Sequence, residues 1–168
     1  MRKKRKTQTE KIHVDQSGKI EQTNKNTILC LAYDDEDGTW DAIVIKAKTK
    51  RQLQEIFRRN GQPRNYVLFV FCAGLSLLIK RNLNVPMITI DREYFSKDAV
   101  IKEILLEMLK DSKRIPEISF GNIGRRVQAH LKGYQVYSGR LSTKKIASVT
   151  ELLKAIKKTE VGNRLKNA

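Results

Sequence analysis

The sequence predicts an α/β protein on a mixed sheet: three antiparallel strands, then strand–helix alternation, with helices on both faces. Three observations predict it. Short apolar and β-branched runs crowd the first third, and Asp37-Gly38 marks a hairpin turn between two of them. Helical periodicity begins only near Thr49. From Val85 onward a strand-like run, an amphipathic helix and a second short apolar run follow one another, the alternation of a sheet covered by helices.

Taken in order, Ile12–Glu21 mixes β-branched with polar residues, Thr27–Tyr33 is an apolar run, and Trp40–Ala47 contains Ala-Ile-Val-Ile. These are the three strands. Asp34-Asp35-Glu36-Asp37-Gly38 sets four carboxylates in a row, but lacks the alternating ligands of a calcium loop and reads as a solvated acidic turn. Thr49 and Gln52 have the form of a capping box. Leu53, Ile56 and Phe57 continue that helix, and Asn60-Gly61 with Pro63 closes it. Tyr66–Ile79 is a buried element, either a helix or a strand passing into a helix at Ala73-Gly74; periodicity does not choose between them. Val85–Ile90 is a strand. It leads through Asp91-Arg92-Glu93-Tyr94 into a helix over about Lys97–Lys110, with Ile101, Ile104, Leu105, Met108 and Leu109 on one face. Ile115–Phe120 is the last strand, Gly121 and Gly124 bracket the turn out of it, and a basic segment starts at Arg125. A helix over Val149–Lys158 ends the chain, opened by a Ser148/Glu151 capping pattern.

The 168 residues carry a formal net charge of +16, unevenly spread. Residues 1–11 hold six Lys/Arg against Glu10, and residues 125–168 hold eleven against Glu151 and Glu160, while the stretch between is nearly neutral. The organisation is therefore a flexible basic tail over 1–11 and a single domain over 12–168 with a basic C-terminal third. Such a field attracts polyanions, nucleic acid first and an anionic membrane surface second. The apolar run Tyr66–Ile79 is short for a bilayer. No apolar segment follows the basic N-terminus, as a secretory signal requires. Cys30 and Cys72 lie far apart in apolar runs and read as buried, reduced thiols. The expectation is a cytoplasmic protein that binds DNA or RNA and no membrane; in a eukaryotic host the basic tail leaves a nuclear location open as the alternative. Oligomeric state leaves no mark in the sequence.

Two acids stand out by position. In Ile12-His13-Val14-Asp15, alternation sets Asp15 opposite Ile12 and Val14; in Ile88-Thr89-Ile90-Asp91 it sets Asp91 opposite Ile88 and Ile90. If these strands are neighbours, both carboxylates converge and offer hard oxygen ligands to divalent cations. Two such ions about 4 Å apart activate water and stabilise the leaving oxygen of a phosphodiester. The bland alternative is that each acid caps a helix or ends a strand.

In its order of elements over about residues 12–135, with acids at Asp15 on the first strand and Asp91 at the end of the fourth, the chain resembles the ribonuclease H-like superfamily. The resemblance implies a nucleic-acid-binding protein of ribonuclease H-like fold, a divalent-metal-dependent nuclease or a relative of one, using two Mg²⁺ or Mn²⁺ ions held by Asp15 and Asp91. A non-catalytic binding module on the same scaffold is the alternative. Members often carry an acid on the helix after the third strand; Glu55 is the candidate here, against an ordinary helix-surface glutamate. They also place a carboxylate on the last helix of the site, where this chain offers His130, as Argonaute-like branches do; the other reading of His130 is a packing or surface residue. Glu93 is a further helper, two residues from Asp91. Arg125, Arg126, Lys132, Arg140, Lys144 and Lys145 are the expected phosphate contacts.

Overall fold

The β-branched and apolar runs at the start of the chain form β1 (Ile12–Ser17), β2 (Thr27–Tyr33) and β3 (Trp40–Ile45), an antiparallel meander. The computed structural model describes residues 11–34, 38–142 and 145–166. Residues 1–10 of the basic tail, 35–37 of the acidic turn, and Lys144 lie outside the described residues. β4 (Met87–Asp91) pairs parallel with β1, and β5 (Glu117–Gly121) pairs parallel with β4. A two-residue β6 (Lys145–Ile146) adds parallel to β3. The sheet is thus six-stranded and mixed, in the order β5-β4-β1-β2-β3-β6.

Six helices accompany these strands among the described residues: α1 (Ala47–Arg59), α2 (Tyr66–Arg81), α3 (Asp98–Leu109), α4 (Gln128–Tyr137), α5 (Val149–Ile156) and α6 (Glu160–Asn163). The buried cluster joining Ile12, Val14, Leu29, Leu31, Ile43, Ile45, Ile88 and Ile90 to α1, α2, α3 and α5 fills one face of the sheet. The other face is thinner. There Ile28, Cys30, Ala42 and Val44 meet Val136 of α4. The alternation of the strands sorts the residues between the two faces.

Tyr66–Ile79 proves to be helical throughout, within α2. It is apolar nearly all round because it lies between the sheet and α1, α3 and α5. With the short 3₁₀ turn before it, Pro63–Arg81 is long and apolar enough by composition to cross a membrane, but most of it is buried inside the protein. Gly74 allows the close approach of α2, since a Cβ there would sit 2.5 Å from Leu29 Cδ1.

The α1 N-terminus corrects the sequence reading. The helix begins at Ala47, with Lys46 at the cap position and no side-chain cap from its own segment; the Ala47 amide donates instead to Asn26 Oδ1, 3.0 Å away in the β1–β2 loop. Thr49 and Gln52 therefore fall inside the helix. The Ser148/Glu151 capping box of α5 forms as expected.

One buried cation links this face to the β1–β2 loop. Lys50 of α1 is fully buried, and its ammonium donates to Lys19 O (2.8 Å), Gln22 O (2.8 Å) and Thr27 Oγ1 (2.9 Å). All three of its protons are used. Burial pulls its pKa down to about 8, with Glu21 acting the other way.

Candidate metal centre and nucleic-acid surface

Register brings the two singled-out acids together. His13 pairs with Thr89 and Val14 with Ile90, so the next step along the parallel pair sets Asp15 beside Asp91. Both alternate away from the main core toward the α4 face. Glu93, just past the end of β4, turns back to join them: one carboxylate oxygen from each of Asp15, Asp91 and Glu93 lies within 4.8 Å of the others.

Asp15 is the deepest of the three, 4% exposed. His130 of α4 lies against it, Nδ1 to Asp15 Oδ2 at 2.9 Å. A proton on Nδ1 makes this a donated hydrogen bond and leaves Nε2 with its lone pair. The helix can come this close because residue 133, one turn on, is glycine. A Cβ there would lie 3.2 Å from Cys30 Cβ and 3.3 Å from Ser17 Oγ. Asp34, at the end of β2, secures the start of α4 by accepting from the Gln128 amide at 3.0 Å.

Asp91 is fixed by the backbone: the Ile123 amide donates to its Oδ1 at 2.9 Å. Glu93 hangs on a tied loop. Its amide donates to Asp91 O at 3.0 Å, the Arg92 amide to Gly121 O at 3.1 Å, and the Arg92 guanidinium to Asp98 at 2.7 Å. The Tyr94 ring packs edge-on against Phe71 with centroids 5.1 Å apart, and its hydroxyl donates to Glu21 at 3.3 Å.

Electrostatics follow from this crowding. Burial, then the neighbouring Asp15 and Asp91 carboxylates, push Glu93 up to about 7, with Lys19 pulling the other way. Asp15 is also raised, first by burial and further by Asp91, while His130 draws it down. The donor set, three carboxylate oxygens with an imidazole bonded to one of them, suits a hard divalent cation such as Mg²⁺ or Mn²⁺.

Glu55 is not brought to this group. It pairs with Arg58 (2.8 Å) and Arg59 (2.6 Å) on the surface of α1, and those hydrogen bonds hold its carboxyl at about 2. It lines a surface hollow of about 460 Å³ with Lys48, Arg51, Arg59 and Val149. The helix-surface reading of Glu55 is the one its surroundings favour.

The basic residues divide. Arg125 and Arg126 are exposed in the turn between Ile123, bonded to Asp91, and His130, bonded to Asp15. Both ends of their segment are thus anchored on the carboxylate group, and among the described residues neither arginine is ion-paired. Lys132 is half-buried on α4 and Arg140 exposed just beyond it. Lys145 belongs elsewhere: it sits in β6 at the far edge of the sheet and is engaged with Glu151 at 2.5 Å.

The residues that sequence reasoning passed over are Asp34, Gly133 and Tyr94, which position the others. Only Gly133 left a signal, as a glycine inside what proves to be a helix. No protein-family model, curated protein or solved structure matches the chain.

Proposed function

We propose that the protein is a divalent-metal-dependent nuclease of ribonuclease H-like fold. The observation that carries the reading is the convergence of Asp15, Asp91 and Glu93, with His130 against Asp15, from three strand and loop segments and a helix. The strand order β5-β4-β1-β2-β3 and the site at the β1/β4 junction agree with the resemblance seen in the sequence.

Asp15, Asp91 and Glu93 would hold Mg²⁺ or Mn²⁺, and His130, bonded to Asp15, would orient that ligand. Bound there, such ions supply an activated water and charge stabilisation at the phosphodiester. The chain's own residues do the rest. Mutual repulsion among the carboxylates is relieved by a cation, which favours loading. Asp15 and the Ile123 amide fix the orientation of His130 and Asp91 before substrate arrives. Arg125 and Arg126 draw the phosphate backbone over the group without reading sequence.

A specific observation favours a second reading, a non-catalytic nucleic-acid-binding module. His130 and the Ile123 amide already give two of the three carboxylates a donor within the protein. Titration with Mn²⁺ followed by a cleavage assay on single- and double-stranded DNA and RNA separates the two. Saturable Mn²⁺ binding with cleavage supports the nuclease; nucleic-acid binding that ignores metal, without cleavage, supports the module.

A further inference from the structure

We propose that Phe95 is a stacking platform for an unpaired base, so that the strand delivered to the carboxylates is single-stranded. This rests on the nucleic-acid reading of the site and names its substrate class.

Phe95 is 89% exposed, more than any other large apolar side chain among the described residues. Its loop is nevertheless tightly held. The Lys97 amide donates to Tyr94 O, Arg92 is paired with Asp98, and Tyr94 is locked on Phe71. Ser96 adopts φ 59°, in the left-handed region that non-glycine residues seldom occupy. Between these fixed points Tyr94 turns inward and Phe95 stands in solvent. A rigid frame presents the ring.

The surroundings suit a base better than the apolar face of a second protein. The chain neighbours Arg92, Ser96 and Lys97 are polar and exposed, and the next exposed large apolar side chain along the segment, Val100, is five residues on and less than half as exposed as Phe95. The ring follows Glu93 by two residues, which brings it within reach of a nucleotide whose phosphate lies at the carboxylates. Every base has a π face, so stacking tolerates any sequence, but a duplex conceals those faces. An exposed phenylalanine two residues from Glu93 therefore discriminates by strandedness, which phosphate contacts such as those expected of Arg125 and Arg126 alone do not.

The test is anisotropy of a labelled mixed-sequence oligonucleotide, single-stranded and as a blunt duplex, with the full chain in EDTA so that cleavage plays no part. Phe95→Ala is expected to bind the single strand about tenfold more weakly and the duplex within about twofold of the parent. Phe95→Trp should keep the affinity and show quenching of indole emission, beyond that of Trp40, with the single strand only. Met87→Ala, which removes another exposed apolar side chain at the opposite end of β4, should change neither. A Phe95→Ala protein that binds the single strand like the parent, or loses both forms equally, overturns the platform and leaves the nucleic-acid reading standing. A parent chain that binds neither form at low salt overturns that reading, and the platform with it.

Discussion

Two aspartates are buried in this sheet, and they are held in opposite ways. Asp41 in β3 receives Arg81 at 2.8 Å and Asn82 at 3.1 Å; burial pushes its carboxyl up, but these partners outweigh burial and hold it below the usual range. Asp15 in β1 faces other carboxylates and a half-exposed imidazole, and its carboxyl is raised. Asp41 carries its own counter-cation. Asp15 sits where a cation from outside the chain would complete the balance. The same residue type at similar depth is thus structural in one strand and a candidate for chemistry in another, and the partners make the difference.

The largest expected effect tests that contrast directly. Asp15→Asn and Asp91→Asn should each abolish metal-dependent cleavage, and the double variant should be no worse, because the two act as a unit. Both should stay folded, with an unfolding midpoint equal to or above the parent's in the absence of metal. Asp41→Asn should do the reverse. It should retain Mn²⁺ binding by calorimetry but lose about 1–3 kcal/mol of stability, as a buried acceptor of charged donors is replaced. Equal behaviour of Asp15→Asn and Asp41→Asn in both measurements would erase the distinction.

His130 comes next. His130→Ala should weaken Mn²⁺ binding about 10- to 100-fold while leaving salt-dependent nucleic-acid binding intact, and His130→Asp should recover part of the activity. Unchanged Mn²⁺ affinity in His130→Ala would make His130 a packing residue of α4.

The pH dependence of stability should also divide the two regions. Burial and the neighbouring Asp15 and Asp91 carboxylates push Glu93 up to about 7 in the fold, from its ordinary value of 4.5. Between these values the metal-free native state keeps a proton that the unfolded chain has lost. The stabilisation is therefore complete below about 4.5 and declines as pH rises through 7. Asp41, with its pKa lowered, contributes stability that is present above the ordinary 3.8 and is lost as pH falls through its folded value. Urea unfolding across pH 3–8 should show Glu93→Gln making the decline toward neutrality shallower, with the raised Asp15 supplying the rest, and Asp41→Asn making the acid limb shallower. Mn²⁺ binding at pH 6 should release a proton, visible as a buffer-dependent enthalpy.

The smallest effects lie at the rim. Five or so phosphate contacts give a slope of log affinity against log salt near −4 or −5 on duplex DNA, about −0.9 each. Replacing Arg125 and Arg126 with alanine should flatten it by roughly 2. Affinity that ignores salt would exclude the electrostatic mechanism. Gly133→Ala, which forces α4 away from Cys30 and Ser17 by a few tenths of an ångström, should cost about 1 kcal/mol and loosen His130 from Asp15.

Much of this was legible from alternation. Asp15 and Asp91 each sit opposite an apolar pair in their own strand, and that pattern set each acid on the polar side of its strand; the parallel pairing of β1 with β4, which brings them together, is visible only in the fold. What it did not contain was long-range. The cap of α1 comes from Asn26 and that of α4 from Asp34, residues 21 and 94 positions away, so a local search for a capping box met Thr49 and Gln52 instead. The basic segment after Arg125 hides α4 because its helical face is spent on Ala129, Gly133 and Val136, two of them too small to register as a hydrophobic stripe. β6 is two residues long, below any pattern. Glu55 shows the converse: its position in the order of elements made it a candidate beside the helix-surface reading, and Arg58 and Arg59, three and four residues on, are the local partners that favour the latter.

The buried ammonium of Lys50 has a consequence for how the β1–β2 loop breathes. A surface loop between two strands ordinarily opens by itself, at little free-energy cost, and exchanges its amide protons quickly. Here such an opening would strip three acceptors at once from a charge sealed against α1. Residues 19–27 are therefore expected to exchange together with the helix, on the slow timescale of the core, and the Glu21 carboxylate that steadies Tyr94 arrives at the rim already ordered.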